Sequence, residues 1–278
     1  MRYAITGATG FVGKHLCRAL TALGHEVVAI HRSSGNSLGR EFALRNVTFD
    51  MESGSAVPND ALNVDALLHL AWPGLPNYNS IFHFERGLPC SYSLIRQYIE
   101  SGVRHVLVTG TCFEYGARDG ALSENMRPDP RNPYAIAKDS LRRFLVCFQE
   151  ERNFTLQWVR LFYLYGVGQH SRTLLSQLDL AIDRGDQSFD MSPGDQLRDY
   201  LPIEEVARRL TVLAQRPELD GIFNCASGKP ISVRTLVERR IHERGSNIKL
   251  NLGRRSYSPF EPMAFWGDVQ RTSELFAQ

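Results

Sequence analysis

Long apolar runs are missing from this chain: nowhere do about 18 apolar residues run without a charge, so no segment reads as a membrane-spanning helix. Cysteine is sparse. Cys17, Cys90, Cys112, Cys147 and Cys225 are odd in number and scattered, and they form no CxxC pair or metal-ligand spacing. A disulfide framework and a metal centre are therefore not expected, and reduced thiols fit a cytosol. An excess of one charge is absent too, with 32 Lys and Arg against 30 Asp and Glu and a formal net charge of +2. No basic run could track a nucleic-acid backbone, so neither nucleic acid nor a membrane is an expected partner. The N-terminus enters a strand pattern at once, without a basic-then-apolar leader, and no repeat or low-complexity stretch follows. The expectation is a soluble, cytoplasmic protein.

What is present is enough apolar residue, 43% of 278, for one large α/β domain or a core domain with a smaller appendage. Tyr3-Ala4-Ile5, Glu26 to Ile30, Val47-Thr48-Phe49, Leu67 to Leu70, Val103 to Thr109 and Thr155 to Val159 read as buried strands. Between the first two, Val12, Leu16, Ala19, Leu20 and Leu23 recur at helical spacing and stop at Gly24. Asn79 to Ser101 is mostly helical, with Gly87 and Pro89 expected to kink or split it. Such alternation predicts a parallel sheet covered by helices on both faces. From about Gly166 the rhythm is lost, although Thr173 to Arg184 and Glu204 to Gln215 remain helical, which predicts a smaller C-terminal lobe.

The stretch GATGFVG sets Gly7, Gly10 and Gly13 three residues apart between the first strand and an amphipathic helix. Glycine permits a tight turn, and an exposed helix N-terminus favours a pyrophosphate. Gly7, Thr9, Gly10, Phe11, Val12 and Gly13 are the expected cofactor seat in a Rossmann-type, doubly wound α/β fold. The alternative is a tight turn that binds nothing. At the end of the second strand stand His31-Arg32-Ser33-Ser34, where an NAD-preferring fold usually has an acid for the ribose. Arg32 with Ser33 suits a 2′-phosphate, so NADPH is expected ahead of NADH.

Chemistry enters at Pro133-Tyr134-Ala135-Ile136-Ala137-Lys138, where Pro133 suits a first helical turn and a separation of four residues puts Tyr134 and Lys138 on one face. A neighbouring ammonium favours phenolate, so the tyrosine pKa is expected to fall and Tyr134 to exchange a proton with a carbonyl or alcohol oxygen. Upstream, the strand ending at Thr109 runs into Gly110-Thr111-Cys112-Phe113-Glu114-Tyr115-Gly116, placing hydroxyls at a strand C-terminal edge. Next to Thr111, Cys112 has no base to activate it and reads as a packing residue.

Taken in order, GATGFVG, His69-Leu70-Ala71, GTCFEYG, YAIAK, RLFYLYG and RDYLPIEEVA make this chain resemble the extended short-chain dehydrogenase/reductases, in particular the NAD(P)-dependent nucleotide-sugar epimerases, dehydratases and reductases. The resemblance implies a Rossmann domain over residues 1–165, with elements near 197–226 returning to it, and a mainly substrate-binding lobe over 166–278. It implies that Thr111 binds the substrate oxygen, Tyr134 is the acid/base, and Lys138 holds the nicotinamide ribose. Asp50 and Met51 match the adenine-contacting pair, and Leu70 and Ala71 the segment along the cofactor. Arg198 matches an arginine that meets the sugar nucleotide's diphosphate, with a structural salt bridge as the alternative. Trp72 is unusual after the fourth strand and is either a wall beside nicotinamide or sugar, or core packing. Tyr163 stands where many epimerases have Asn, and Cys112-Phe113 where a dehydratase has its carboxylate. With Thr111 and Arg198, these residues complete the substrate-binding candidates.

The resemblance is strongest to nucleotide-sugar 4-ketoreductases such as CDP-abequose and CDP-paratose synthases and dTDP-linked relatives. It implies NADPH-dependent reduction at C4 of a CDP-, dTDP- or GDP-linked 4-keto-6-deoxyhexose in deoxysugar biosynthesis, by a homodimer packed through helices near 90–101 and 134–150. The alternative activity is an NAD-dependent 4-epimerase. A dehydratase, kept in play by Glu114, and a non-catalytic NADP(H) sensor rank below it.

Overall fold

The apolar runs are buried on both faces, which is why Ala4-Ile5 and Val27-Val28-Ala29-Ile30 carry no polar alternation. In the computed structural model, which describes residues 1–32, 44–257 and 261–277, they build a seven-stranded parallel sheet. Its strands are β1 (Arg2–Thr6), β2 (Glu26–His31), β3 (Leu44–Thr48), β4 (Ala66–His69), β5 (His105–Thr111), β6 (Thr155–Leu161) and β7 (Gly221–Cys225). Their spatial order is β7-β6-β5-β4-β1-β2-β3, so the chain reverses direction across the sheet between β1 and β4. At that switch point the loops after both strands diverge and open a crevice.

Helices cover the two faces. On one lie α1 (Phe11–Ala22) and, later in the chain, the helix Ile203–Ala214, which bury Leu16, Leu20, Val206, Leu210 and Leu213 against Ile5 and Ala29. The other face is covered by the short α2 (Asn59–Leu62), α3 (Leu88–Glu100) and α4 (Pro133–Glu151). From these come Ala61, Leu94, Ile95, Tyr98, Leu141, Leu145 and Phe148 of the second core. Beyond the sheet, α5 (Leu174–Asp183), the helix Ile203–Ala214 as α6, and α7 (Val233–Glu243) follow, and a four-residue helix, Ser273–Phe276, closes the described chain. A separate small core of Leu178, Phe189, Met191, Leu236 and Val237 joins α5 to α7.

Two sequence expectations shift. The fifth strand starts at His105, because Val103 still donates its N–H to Tyr98 O at the end of α3, and it runs on to Thr111, so that the strand itself carries the threonine. Pro89 does not break its helix: it sits in the first turn of α3, where its missing N–H costs nothing, and the irregularity falls in the π-type turn His83–Gly87 before it. Among the described residues no helix is long and apolar enough to cross a membrane.

Candidate active site

The crevice at the switch point is a cavity of about 820 Å³. At one end the turn after β1 shapes its floor. Gly7 has a φ of +70°, and a Cβ there would lie 2.9 Å from Ala71 N; one on Gly13 would lie 2.1 Å from Gly7 O. The spacing thus serves close approach of α1 and the end of β4 to the turn. Gly10 caps α1 without a side-chain hydrogen bond, so the helix presents free N–H groups to the cavity. These features fit the pyrophosphate of a dinucleotide.

Further along this end stand Arg32, Met51 and Glu52. Arg32 Nη1 lies 3.7 Å from the Glu52 carboxylate, an acid that spacing alone did not single out. Asp50 does not line the cavity; its Oδ1 accepts the Glu52 N–H and shapes the turn, so of the expected adenine pair only Met51 reaches the wall. Ser33 and Ser34 lie outside the described residues.

The opposite wall brings Thr111, Tyr134 and Lys138 together. Asn132 caps α4, its side chain accepting the Ala135 N–H at 2.9 Å, and Pro133 opens the helix, which fixes Tyr134 in the first turn. The Tyr134 N–H donates to Tyr78 O at 3.1 Å, tying the loop after β4 to the same turn. Thr111 is held by a buried charge pair. Its N–H donates to Glu114 Oε1 at 2.8 Å, and Arg160 Nε donates to Glu114 Oε2 at 2.7 Å, with both charged side chains fully buried. Trp158 Nε1 lies 3.0 Å from both carboxylate oxygens. Glu114 therefore anchors the threonine's backbone and faces away from dehydratase-type chemistry.

Electrostatics correct one expectation. The Tyr134 phenol is pushed well above its ordinary range, not lowered: burial dominates, Tyr78, Glu114 and Cys112 add to it, and only the Thr111 side chain, within hydrogen-bonding reach, opposes it. Burial also lowers Lys138 to about 7, with Glu114 opposing. Its Nζ donates to Thr109 O at 2.8 Å and lies 4.1 Å from the centre of a Trp72 ring, so the amine is committed to other partners and only partly charged at neutral pH. His69, behind it, is lowered by burial and by Lys138 to about 3 and stays neutral.

An aromatic wall leads away from Tyr134. Tyr134–Tyr78, Tyr78–Phe113, Phe113–Tyr163 and Tyr163–Tyr200 stand 5.5, 5.5, 6.4 and 5.4 Å apart between ring centres. Leu70, Ala71, Trp72 and Cys112 share this cavity, and burial pushes the Cys112 thiol up to about 12, consistent with packing. Tyr78, missed by sequence reasoning, lies in the unusual segment that begins at Trp72.

Arg198 is not in the cavity lining. It is buried in the two-residue strand Leu197–Arg198, ion-paired to Glu261 at 3.1 Å and stacked 4.6 Å from the Phe265 ring. Its neighbour Asp199 accepts the N–H groups of Ser227 and Gly228. The salt bridge, not the diphosphate contact, is what this geometry supports, because the strand turns the guanidinium behind Tyr163. A smaller cavity of about 250 Å³ shares Tyr165, Leu175, Tyr200 and Leu236 with the main one and carries Lys229, Arg239 and Arg240. Nothing in the sequence pattern marked these cations, which lie on a polar helix face and a loop.

A switch-point crevice with a glycine cradle at one end and a Thr, Tyr and Lys set at the other defines a dinucleotide-binding α/β enzyme of the short-chain dehydrogenase/reductase type. The model of the NAD dependent epimerase/dehydratase family matches residues 3–226, and the chain belongs to that family. It is 31% identical over 272 residues to dTDP-6-deoxy-L-talose 4-dehydrogenase (NAD(+)) of Aggregatibacter actinomycetemcomitans, covering 96% of this chain and 99% of the relative. To dTDP-6-deoxy-L-talose 4-dehydrogenase (NAD(P)(+)) of Kitasatospora kifunensis it is 26% identical, over 88% of this chain and 79% of the relative. The solved structure of MoeE5 in complex with UDP-glucuronic acid and NAD superposes with a TM-score of 0.84 at 28% identity, over 99% of this chain and 92% of that one.

Proposed function

We propose that this protein is a nicotinamide-dependent oxidoreductase that interconverts the C4 ketone and C4 hydroxyl of a nucleoside-diphosphate 6-deoxyhexose, acting as a 4-ketoreductase in deoxysugar biosynthesis. The observation that carries this reading is the meeting of Thr111, Tyr134 and Lys138 on the cavity wall from which the aromatic wall departs. When bound, the nicotinamide coenzyme supplies the hydride that goes to C4. Tyr134 gives its proton to the C4 oxygen as the alkoxide forms, Thr111 orients that oxygen, and Lys138 helps to re-protonate the phenolate. Burial that keeps the Tyr134 phenol protonated suits this direction, since the reducing step needs an acid. The relatives named as 4-dehydrogenases carry the same interconversion written as an oxidation.

Among the described residues, Arg32 and Lys138 are the only arginine or lysine lining the main cavity, and Arg32 belongs to the glycine-cradle end. The aromatic wall therefore suits a C6 methyl better than a hexuronate carboxylate. Lys229 and Arg239 in the adjoining cavity are our candidates for the substrate diphosphate, in place of Arg198. For the coenzyme we read NADH ahead of NADPH, because Glu52 beside Arg32 opposes a 2′-phosphate that the guanidinium alone would attract. A dTDP-linked sugar leads CDP and GDP by the relatives' substrates. A cytoplasmic homodimer completes the reading, with α3 and α4 leaving Phe144 half exposed beside Tyr92.

The test is to mix the purified protein with NADH or NADPH and a panel of dTDP-, CDP-, GDP- and UDP-linked 4-keto-6-deoxy sugars, following nicotinamide absorbance. Oxidation of the coenzyme with a dTDP-4-keto sugar is the expected result. Oxidation with none of them, together with interconversion of plain UDP-hexoses, overturns the reductase in favour of a 4-epimerase.

A further inference from the structure

Trp72 departs from the resemblance and carries a consequence for Lys138. The indole is fixed from outside the cavity: its Nε1–H donates to His83 Nδ1 at 3.1 Å, and His83 Nε2 lies 2.7 Å from Asn77 O. An indole nitrogen can only donate, so His83 accepts on Nδ1 and gives its own hydrogen to Asn77. His83 is fully buried, and its ring also stands 5.4 Å from that of Tyr134. Gly87, at the end of the π-type turn, is the residue that admits the indole, since a Cβ there would lie 3.1 Å from Trp72 Cζ2. The inner face of the indole covers the Lys138 nitrogen at 4.1 Å, on a lysine whose Nζ also donates to Thr109 O.

We propose that Trp72, clamped by His83, is a positioning residue for Lys138: its indole face holds the lysine nitrogen against the Thr109 carbonyl and favours its charged form, so protein groups alone keep that nitrogen in place in the cavity wall. A buried cation over an aromatic face is stabilised in its charged form. Facing Lys138 are Tyr134 from its own helix, His69 at the end of β4 and Glu114 from the turn after β5. Only Glu114 among them bears a charge that favours the ammonium, and it is already paired with Arg160. That leaves Trp72 as the group able to tune the amine. The idea rests on the role proposed for Lys138 above, but its first test needs no substrate.

Tryptophan emission of the protein stripped of dinucleotide is to be followed against pH. The parent is expected to show a step as the ammonium over the indole loses its proton, and the step should vanish in both Lys138→Met and Trp72→Phe. A step that survives in Lys138→Met belongs to another group, and it overturns the proposal, as does no step in the parent. With substrate, Trp72→Leu should move the alkaline limb of kcat/KM down by up to about one pH unit, while Trp72→Phe, which keeps a ring face, stays near the parent. His83→Phe releases the indole without removing it and should give a smaller shift in the same direction. Superimposable profiles for parent, Trp72→Leu and His83→Phe overturn the proposal. An emission step without turnover of any sugar instead leaves it standing and removes the proposed reaction.

Discussion

Replacing Lys138 with methionine should make the protein more stable while abolishing turnover, by an amount that depends on pH in a defined direction. The amine is buried and its pKa falls from an ordinary 10.5 to about 7. At about 1.4 kcal/mol per pH unit, keeping it charged below neutrality costs about 5 kcal/mol. Methionine fills the same space without that cost but gives up the hydrogen bond to Thr109 O and the contact with Trp72, together about 3 kcal/mol. A net gain of about 2 kcal/mol at about pH 6 follows. The folded pKa lies below the unfolded one, so between the two the unfolded parent holds the extra proton and parental stability rises with pH. The advantage of the variant should therefore shrink by about 2–3 kcal/mol between about pH 6 and about pH 9, since groups not coupled to Lys138 cancel in the comparison and His69, held near 3, stays neutral in the fold across this range. Urea unfolding of both proteins, stripped of dinucleotide, at the two pH values measures this. A variant less stable than the parent at the lower pH, or a difference that does not change with pH, would refute the reasoning.

Further outcomes follow from the same geometry. Tyr134→Phe should lose about 10²–10⁴-fold in kcat while binding dinucleotide as before, and parental turnover in that variant would take the acid role away from Tyr134. Glu114→Gln leaves Arg160 buried and unpaired and should cost about 3–5 kcal/mol in chemical denaturation, with much of the loss recovered in Glu114→Gln/Arg160→Met; equal instability of single and double variants would mean that the pair is not the cause. Glu52→Gln frees Arg32 and should raise the NADPH-to-NADH ratio of kcat/KM by about 5- to 30-fold, given about 1–2 kcal/mol for one partly exposed charge, and an unchanged ratio would place coenzyme choice elsewhere.

Local chemistry was legible in the sequence wherever the partner lies nearby along the chain. The turn after β1 and the first turn of α4 follow from local spacing, so the glycines and Pro133 announced them before any contact was known, whereas the Asn132 cap emerged only with the structure. The sheet was legible for a related reason: a strand buried on both faces must be apolar throughout, and few such runs can be drawn any other way. The surroundings of Arg32 were only half legible. Arg32 is visible at the end of β2, whereas the Glu52 that lies beside it comes from the turn after β3, and only the β2–β3 pairing brings the two together.

The pKa expectation for Tyr134 failed for a reason that reaches beyond this site. Spacing of four residues establishes that Lys138 is the phenol's neighbour on the helix, but the sign of the effect depends on where the ammonium points and on how much water is left. Here the nitrogen is drawn to Thr109 O on β5 and to an indole from the loop after β4, two segments far from α4 in sequence. The burial that joins them raises the phenol and lowers the amine at once, since desolvation penalises whichever form is charged. Arg198 obeys the same logic: its motif is plain in the sequence, but the strand pairing of Leu197–Arg198 with Ile231–Ser232 and the stack on Phe265 send the guanidinium inward to Glu261. A motif therefore fixes which charges a fold brings to a region, while sheet register and burial decide whether each one faces the ligand or its own protein.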